Sequence, residues 1–201
     1  VPVVMGFVHV DRPRPGVALV TLNRPERMNA MAFDVMIPFR ETLEAIGADN
    51  EVRVVVVTGA GPGFCSGADL EDPGVMPNID GLTVTTIAQR ALRLLDDVIR
   101  ALRHLPQPVI AAVNGAAIGG GFCLAMAHDL RIAAHSAYFR AAGINNGLTS
   151  AELGLSYLLP RAIGVTRAAD IMLTGRDVGS YEAERIGIVS RVVDDAALLD
   201  E

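Results

Sequence analysis

The sequence predicts an α/β protein whose sheets are mostly buried. Two uncharged, β-branched runs, "VVVVTG" within residues 52–59 and "VIAAVNG" within residues 108–115, end at glycine and are typical of strands buried on both faces. Between them, residues 83–105 repeat apolar side chains at helical spacing. Buried strands that alternate with amphipathic helices predict the α/β class.

The remaining elements follow the same alternation. Turn-rich "DRPRPG" between two apolar segments predicts a β-hairpin over residues 7–23. Apolar spacing predicts a helix over residues 31–48 with an interruption at Pro38, and Pro, Gly and Asn predict a mobile loop over residues 71–81. Further along the chain, the patterns predict two short strands (130–139), two helices (149–164 and 166–175) and a helix followed by a strand (180–193).

Composition and charge exclude several classes of protein. A net charge of −6, a pI near 5.2 and the lack of a Lys/Arg run argue against a surface that binds nucleic acid or an anionic membrane. The first residues lack the pattern of a secretory signal, so we expect a cytoplasmic protein. With 201 residues and 51% hydrophobic content, the chain is expected to form one domain over residues 1–201.

An uncharged run from Pro108 to Ala127 is long enough to raise the possibility of a membrane span. Asn114 and four glycines lie inside this run, and prolines precede it, which fits a membrane helix poorly. A buried strand, a glycine turn and a buried helix explain the run better. We therefore expect no membrane association.

The cysteines and histidines give no pattern of a metal site. Cys65 and Cys123 match neither a disulfide framework nor a zinc spacing, so both are interpreted as buried free thiols. The four histidines lie outside any metal-ligand spacing, and each is interpreted as structural. We expect no metal ion in this protein.

Two strand ends run into glycine-rich loops, "GAGPGFCSGADL" (59–70) and "GAAIGGGF" (115–122). Glycines let backbone approach a ligand, and the second loop opens a helix whose first N–H groups are free, so the pair could aim two N–H groups at one oxygen. The glycines alone are equally compatible with tight turns between packed elements. Neither loop has the spacing of a P-loop or of a dinucleotide-binding fingerprint.

Three blocks in order along the chain resemble the signatures of the crotonase, or enoyl-CoA hydratase/isomerase, superfamily. They are "NRPERMNAM" (23–31), "GPGFCSGADL" (61–70) and "VNGAAIGGGFCLAMAHDLRIA" (113–133), and the likeness extends over nearly the whole chain. The resemblance implies a spiral of ββα units and acyl-CoA thioester substrates. It also implies trimers, alone or paired into hexamers, and no cofactor apart from the coenzyme A of the substrate.

The resemblance also assigns candidate site residues. It implies that the backbone N–H groups of Ala68 and Gly120 form an oxyanion hole, where an enolate is stabilised. The coenzyme A portion is expected along two segments, with the contacts Arg27, Asn29, Ala30, Ser66, Gly67, Asp69 and Leu70. Arg27 is a candidate phosphate ligand, although an exposed loop arginine without that role is as good an interpretation.

The sequence departs from the family at both positions where hydratases carry a glutamate. Cys123 occupies the first position, and Gly143 aligns with the second. Because each acid–base group contributes about 10²- to 10⁴-fold to the rate, the two changes put hydration in doubt. Isomerisation, decarboxylation or thioester cleavage fits the remaining residues better.

One other carboxyl lies near a position that carries an acid in some isomerases of the family, namely that of Glu152. Glu152 also fits a capping box with Thr149 as the helix N-cap, which is the favoured interpretation. Cys123 is interpreted as an apolar filler of a buried helix rather than as a nucleophile.

Two hypotheses of function remain from the sequence. The first is an acyl-CoA enzyme that stabilises a thioester enolate, with Glu152 as a tentative acid or base. The second is a catalytically silent acyl-CoA-binding protein. The family's C-terminal helices, which build the trimer, are expected to lie beyond Glu201 and to be absent from this sequence.

Overall fold

The computed structural model describes residues 3–149 and 152–201, and side chains from residue 6 onward except that of Glu152. The strands, in chain order, are β1 (Val3–Met5), β2 (Val8–Asp11), β3 (Val17–Leu22), β4 (Val54–Gly59), β5 (Gly63–Cys65), β6 (Val109–Val113), β7 (Ala116–Ile118), β8 (Leu130–Ala134), β9 (Tyr138–Arg140), β10 (Asp177–Gly179) and β11 (Arg191–Val193). The α-helices are α1 (Phe33–Gly47), α2 (Val84–His104), α3 (Gly120–Ala127), α4 (Leu155–Ile163), α5 (Val165–Thr174) and α6 (Ser180–Ile186). This alternation confirms the predicted α/β class.

The strands form two sheets. The larger has the order β1-β2-β3-β4-β6-β8-β11, in which the pairs from β3 through β11 are parallel, and the smaller has the order β10-β9-β7-β5. The predicted hairpin is confirmed, since β2 and β3 pair antiparallel with Val10 opposite Val20. From β4 to β9, consecutive strands alternate between the two sheets, as β4 to β5 and β6 to β7. The chain therefore crosses from one sheet to the other at the two glycine-rich loops.

The uncharged run of residues 108–127 divides into β6, β7 and α3, as expected for a strand, a turn and a buried helix. No helix in the described part of the chain is long and apolar enough to cross a membrane. Every residue of α3 from Gly121 to Ala127 is buried. The helix is apolar all round because it lies inside the protein.

The prediction that the two central strands are buried on both faces is wrong in part. On β4, Val55 and Val57 are fully buried, whereas Val54 and Val56 are only partly buried. Val56 packs at the edge of a small cluster that contains Ala112, Ala134 and Leu198. In this chain the second face of the sheet is covered by few side chains, although its β-branched residues resemble those of a core strand.

Two helix boundaries differ from the predictions. Helix α1 continues through Pro38, because the loss of one backbone hydrogen bond is outweighed by burial of apolar side chains, including Val35, Phe39 and Leu43. Helix α4 begins at Leu155, not at Thr149. Leu153 and Gly154 have left-handed backbones, with φ of 53° and 79°, and separate the short 3-10 helix Glu152–Gly154 from α4. Gly154 therefore holds the N-cap position of α4, and the predicted capping box of Thr149 with Glu152 lies partly outside the described residues.

Helix α2 agrees with its prediction, since the Thr83 hydroxyl accepts a hydrogen bond from Thr86 N at 3.3 Å and caps the helix. Both cysteines are buried and neither forms a disulfide, as predicted. Burial raises the pKa of the Cys65 thiol to about 12, so this thiol stays protonated and unreactive.

Candidate active site

The two glycine-rich loops lie side by side because the strands before them pair. Strand β5 runs parallel to β7, with Cys65 opposite Ala117. Three residues after this pair, the loops reach Ala68 on one side and Gly120 on the other. A Cβ on Gly67 would lie 2.7 Å from the Ile118 carbonyl oxygen and 3.2 Å from the Gly120 nitrogen. The two predicted donor segments are therefore in direct backbone contact.

Each of the three consecutive glycines meets a separate requirement. Gly119 adopts φ +52° and donates its N–H to the Arg140 carbonyl at 2.8 Å. A Cβ on Gly120 would lie 2.5 Å from the Met31 sulfur and 3.3 Å from a Leu153 methyl carbon. A Cβ on Gly121 would overlap the backbone carbonyl of Cys65. The glycines bring the start of α3 against β5 while leaving the Gly120 N–H uncovered by any side chain of its own.

Ala68 is held by backbone hydrogen bonds on both of its sides. Met31 N donates to the Gly67 carbonyl at 2.7 Å, and Asp69 N donates to the Met31 carbonyl at 3.2 Å. Ala68 itself is exposed. Among the hydrogen bonds of the described residues, none uses the N–H of Ala68 or of Gly120 as a donor. Both N–H groups are thus available to a ligand.

The Asp69 carboxylate, next to Ala68, accepts hydrogen bonds from two arginines and two backbone N–H groups. Arg24 contacts it at 3.0 Å, and Arg27 contacts it at 2.6 and 3.1 Å. The N–H groups of Glu71 and Asp72 donate to it at 3.1 and 2.9 Å. Hydrogen bonding by Arg27 holds the pKa of Asp69 far below its usual range. Asp69 is therefore a permanent anion that fixes the loop, and it is unsuited to act as a base.

Arg24 was not among the residues singled out from the sequence. Its side chain is 5% exposed and bridges Asp69 to Asp72, with a distance of 2.6 Å to the latter. Two arginines within residues 23–31 and three carboxylates within residues 69–72 are a complementary charge pattern between the two loops. This charge pattern is the feature of the sequence from which a contact between Arg24 and the acidic segment could have been predicted.

The predicted coenzyme A contacts divide into buried and accessible groups. Asn29, fully buried with φ 54°, donates to the carbonyls of Ala60 and Gly63 at 2.9 and 2.8 Å, and Ala30 is also buried. Their side chains support the loop from inside. Leu70 is 74% exposed and Ser66 is half-buried, beside the donor segment.

Arg27, the predicted phosphate ligand, is already paired with carboxylates. In addition to Asp69 it contacts Glu71 at 2.7 Å, and hydrogen bonding by Asp69 raises its pKa. Its side chain is 32% exposed, so its outer edge is accessible to an anion. A phosphate would have to compete with the Glu71 carboxylate for that edge.

The sequence profile of the enoyl-CoA hydratase/isomerase family matches residues 12–201. The chain belongs to this family. A probable enoyl-CoA hydratase, echA12, of Mycobacterium tuberculosis is 66% identical over 196 residues, which cover 98% of this chain and 69% of that protein. The 1,2-epoxyphenylacetyl-CoA isomerase of Escherichia coli is 38% identical over 192 residues, which cover 96% of this chain and 71% of that protein.

Solved structures give the same family and the crotonase fold. A probable enoyl-CoA hydratase/isomerase from Mycobacterium abscessus superposes with a TM-score of 0.92 and 68% identity, covering 97% of this chain and 72% of that one. A monofunctional enoyl CoA isomerase from M. smegmatis has a TM-score of 0.80 and 63% identity, covering 96% of this chain and 80% of that one. This member of the enoyl-CoA hydratase/isomerase family is therefore an enzyme of the hydratase/isomerase type.

In this family member, neither position expected to carry a hydratase glutamate presents a carboxylate. Cys123 lies on α3 and is 4% exposed, as expected for a filler of the helix interior. Gly143 is the N-cap of the 3-10 helix Ile144–Asn146, and its carbonyl accepts from Asn146 N and Leu148 N at 3.0 and 2.9 Å. The packing of Cys123 and the turn at Gly143 account for the presence of these two residues without any role in proton transfer.

Glu152 lies at the start of the 3-10 helix Glu152–Gly154, and its side chain is outside the described residues, as are Ser150 and Ala151 of the predicted capping box. Its neighbour Leu153 is 9% exposed and packs against the Gly120 backbone. Glu152 is thus the residue immediately before Leu153, whose side chain contacts the candidate donor Gly120. Within residues 3–149 and 152–201, no group of His, Cys, Asp and Glu could hold a metal ion.

Proposed function

We propose that the protein is an isomerase of enoyl-CoA thioesters that works through a stabilised enolate and does not hydrate its substrate. The observation that carries the proposal is the pair of backbone N–H groups, on Ala68 and Gly120, at matched positions beyond the paired strands β5 and β7. The substitution of both hydratase glutamates, by Cys123 and Gly143, removes the groups that would activate water. The 63% identity to a structure described as a monofunctional enoyl CoA isomerase supports the same choice.

In the proposed reaction, the thioester carbonyl oxygen of a 3-enoyl-CoA accepts hydrogen bonds from both N–H groups. A base removes a proton from C2, and the electrons of the C–H bond move into a dienolate whose charge rests on the thioester oxygen. Protonation at C4 then moves the double bond to C2–C3 and restores the carbonyl. No water is consumed, so one carboxyl group suffices as base and then as acid.

Glu152 is the proposed carrier of that proton. Leu153, which has a left-handed backbone and lies next to Glu152, places a methyl carbon close to Gly120, and this supports a position for the Glu152 backbone near the hole. Asp69 is unsuitable for the task, because two arginines hold it as an anion. Cys123 is unsuitable because it is buried on α3.

The coenzyme A portion is proposed to lie along the segments Arg27–Ala30 and Ser66–Leu70, with Arg27 donating its exposed edge to a phosphate. By analogy with the superfamily, the enzyme is proposed to work as a single-domain subunit of a cytoplasmic trimer or hexamer in fatty acid metabolism. It needs no cofactor in this proposal, since coenzyme A arrives with the substrate.

The test compares 3-hexenoyl-CoA with crotonyl-CoA in the same ultraviolet assay. Isomerisation makes the conjugated 2-enoyl thioester and raises its absorbance, whereas hydration of crotonyl-CoA removes it. We expect a rise with the first substrate and no change with the second. Hydration of crotonyl-CoA at a comparable rate would contradict the proposal.

The oxyanion donor is tested with a matched pair of variants at Gly120. Gly120→Pro removes the N–H, whereas Gly120→Ala keeps it, and both add a Cβ that the flexible Met31 side chain must accommodate. Loss of one such donor lowers kcat by about 10²- to 10³-fold. Gly120→Pro is therefore expected to be at least that much slower than Gly120→Ala. Equal rates would exclude this N–H from the reaction.

Glu152→Gln tests the proton carrier, with Glu152→Asp as the variant that keeps the carboxyl. Isomerisation and exchange of C2 hydrogen with solvent deuterium should fall by about 10²-fold or more in Glu152→Gln. A silent binder would show no exchange in the unaltered enzyme while still binding butyryl-CoA, which separates the alternative from the proposal.

A further inference from the structure

The buried guanidinium of Arg24 is not explained by the fold alone. Its side chain is 5% exposed, and one of its two partners, the Asp69 carboxylate, is 2% exposed. Burying two charged groups costs free energy, and apolar side chains of the same volume would often stabilise a core as well or better. The ion pair instead fixes the direction in which the Asp69 side chain, next to Ala68, points.

We infer that Arg24 is a positioning residue that aims the Ala68 N–H at the thioester oxygen. This inference rests on the proposed function. Arg24 does not touch the substrate, since its guanidinium lies beneath the loop, between Asp69 and Asp72 and 5.4 Å from the centre of the Phe7 ring. It acts through Asp69, whose peptide nitrogen follows Ala68 directly.

Arg24 supports Ala68 indirectly, through its side chain and through its backbone. Through its side chain it holds Asp69, on the C-terminal side of Ala68. Through its backbone it fixes the segment that pairs with Ala68, because Arg24 N donates to the Asn29 side-chain oxygen at 2.9 Å and Asn29 N donates to the Arg24 carbonyl at 3.0 Å. That segment continues to Met31, which bonds to Gly67 and to Asp69.

Arg27 binds the same carboxylate but is less suited to this role. Its side chain is 32% exposed, and its second partner, Glu71, is 80% exposed. Arg27 therefore lies at the outer edge of the charge cluster, where solvent and a ligand phosphate compete for it. Arg24 lies at the inner edge, where its own guanidinium is shielded from solvent, and only its second partner, Asp72, is exposed, at 66%.

The geometric consequence is large because hydrogen bonds to the oxyanion are directional. A displacement of about 1 Å in a catalytic group can reduce the rate about 10²-fold. Loss of the Arg24 charge should therefore lower kcat strongly while the contacts that bind coenzyme A remain in place. We expect kcat to fall about tenfold to 10²-fold in Arg24→Met, with KM changed less than about threefold.

A matched control exists elsewhere in the chain. Arg176 also bridges two carboxylates, Asp170 and Glu182, with distances of 2.9 Å to each, and its side chain is 38% exposed. It joins α5 to α6, and none of its hydrogen bonds within the described residues is to the two glycine loops. Arg176→Met therefore removes the same kind of charge cluster without changing the support of Ala68. Its kcat should equal that of the unaltered enzyme.

The deciding readout is the infrared stretch of butyryl-CoA labelled with ¹³C at the thioester carbonyl, measured bound to each variant. Hydrogen bonds from the oxyanion donors lower this frequency. Arg24→Met should bind the thioester but show a smaller shift, Arg24→Lys an intermediate one and Arg176→Met the full one. If Arg24→Met does not fold, Arg24→Lys decides, because it keeps the buried charge.

The two proposals fail in different ways. A full carbonyl shift and unchanged kcat in a folded Arg24 variant would overturn the role of Arg24 and leave the proposed function intact. No carbonyl shift in the unaltered enzyme, with butyryl-CoA bound, would overturn the oxyanion hole itself.

Discussion

The two loops that meet at the candidate site are held in place by different forces. The loop that carries Ala68 is fixed by side-chain charges in addition to its backbone hydrogen bonds with Met31, and the Asp69 carboxylate lies at the centre of a cluster of two arginines. The loop that carries Gly120 is fixed by close packing of backbone on backbone, with Gly121 against the Cys65 carbonyl. One side of the site therefore depends on ionisation, and the other depends on the absence of side chains.

This difference predicts different responses to substitution. A charge cluster can lose one member and keep part of its geometry through the others. A close contact between two backbone segments leaves no room for a methyl group. An added carbon therefore cannot be accommodated by side-chain movement and forces a strand or helix to move. Substitutions in the first loop should have graded effects on activity and stability, whereas an added side chain in the second should disrupt the packing outright.

The largest effect is expected for Gly121→Ala. Its Cβ would overlap the Cys65 carbonyl, so the free energy of unfolding should fall by about 3 kcal/mol or more, at the upper end of overpacking effects. Urea denaturation followed by circular dichroism measures the change. Gly179→Ala is the control, because Gly179 has φ −69° and open space around it, and its effect should stay within about 0.5 kcal/mol. Similar effects of the two variants would refute the backbone-contact argument.

Asp69→Asn should have the next largest effect, about 2 to 3 kcal/mol in the free energy of unfolding. The variant keeps the size of the side chain but loses charge-assisted hydrogen bonds from Arg24 and Arg27, which contribute about 1.5 to 3 kcal/mol each in buried sites. Asp177→Asn provides the comparison, since Asp177 pairs with Arg140 while 50% exposed. An equally small effect at both positions would show that the cluster does not stabilise the loop.

His128, at the end of α3, contacts Phe64 in the first loop and predicts a pH dependence of stability. It follows α3, contacts the Phe64 ring edge-on with centroids 6.3 Å apart, and its Nδ1 lies 2.8 Å from the Leu124 carbonyl. Burial is the main reason that its pKa is lowered from 6.5 to about 4; Arg131 acts in the same direction, whereas the hydrogen bond to Leu124 and the charge of Asp129 oppose the shift. The unfolded chain then binds a proton more tightly than the folded one, so stability is lost as the pH falls from about 6.5 towards 4.

The expected loss is about 2 kcal/mol in the free energy of unfolding between pH 7 and pH 5. Urea denaturation across this range measures it in the unaltered protein, in His128→Gln and in the exposed His104→Gln. The part of the dependence of unfolding free energy on pH that is due to His128 should disappear in His128→Gln and remain in His104→Gln. An unchanged slope in His128→Gln would assign the pH dependence to other groups.

The smallest effect is expected for Glu71→Gln. Glu71 is 80% exposed and forms only the outer contact of the cluster, to Arg27, so the urea midpoint should remain within experimental error of the unaltered protein. The affinity for butyryl-CoA should rise, most clearly at low salt, because the proposed phosphate no longer competes with this carboxylate. Weaker binding of butyryl-CoA would argue against a phosphate at Arg27.

Much of the fold follows from local pattern in the sequence. The hairpin, the amphipathic helix α2 and the division of residues 108–127 into strand, turn and helix depend on period, turn residues and glycines within a few positions of each other. Helix boundaries were less accessible, because burial of α1 outweighs Pro38 and a left-handed Leu153 delays α4. The partial exposure of Val54 and Val56 depends on what covers the sheet, which β-branched residues do not specify.

At the site, the family resemblance named both candidate donors, and the structure brings their loops together. The resemblance did not indicate which residues hold these loops in place. Arg24 in "NRPER" has the sequence context of an exposed loop residue, and its carboxylate partner is 45 positions away. The phosphate role of Arg27 was predicted without the carboxylates that already bind it. Contacts between distant charged residues are fixed by the topology of β4 to β7, so a local pattern reveals only that opposite charges are present.

The parallel pairing of β5 with β7 has one more consequence. Cys65 and Ala117 are partners across these strands, and each candidate N–H follows three residues later. Neighbouring strands lie about 4.8 Å apart whatever their side chains, so backbone pairing brings the two segments that carry these N–H groups close together. Acids, bases and acyl-chain contacts around the site can therefore be exchanged without altering the backbone pairing that holds the two segments.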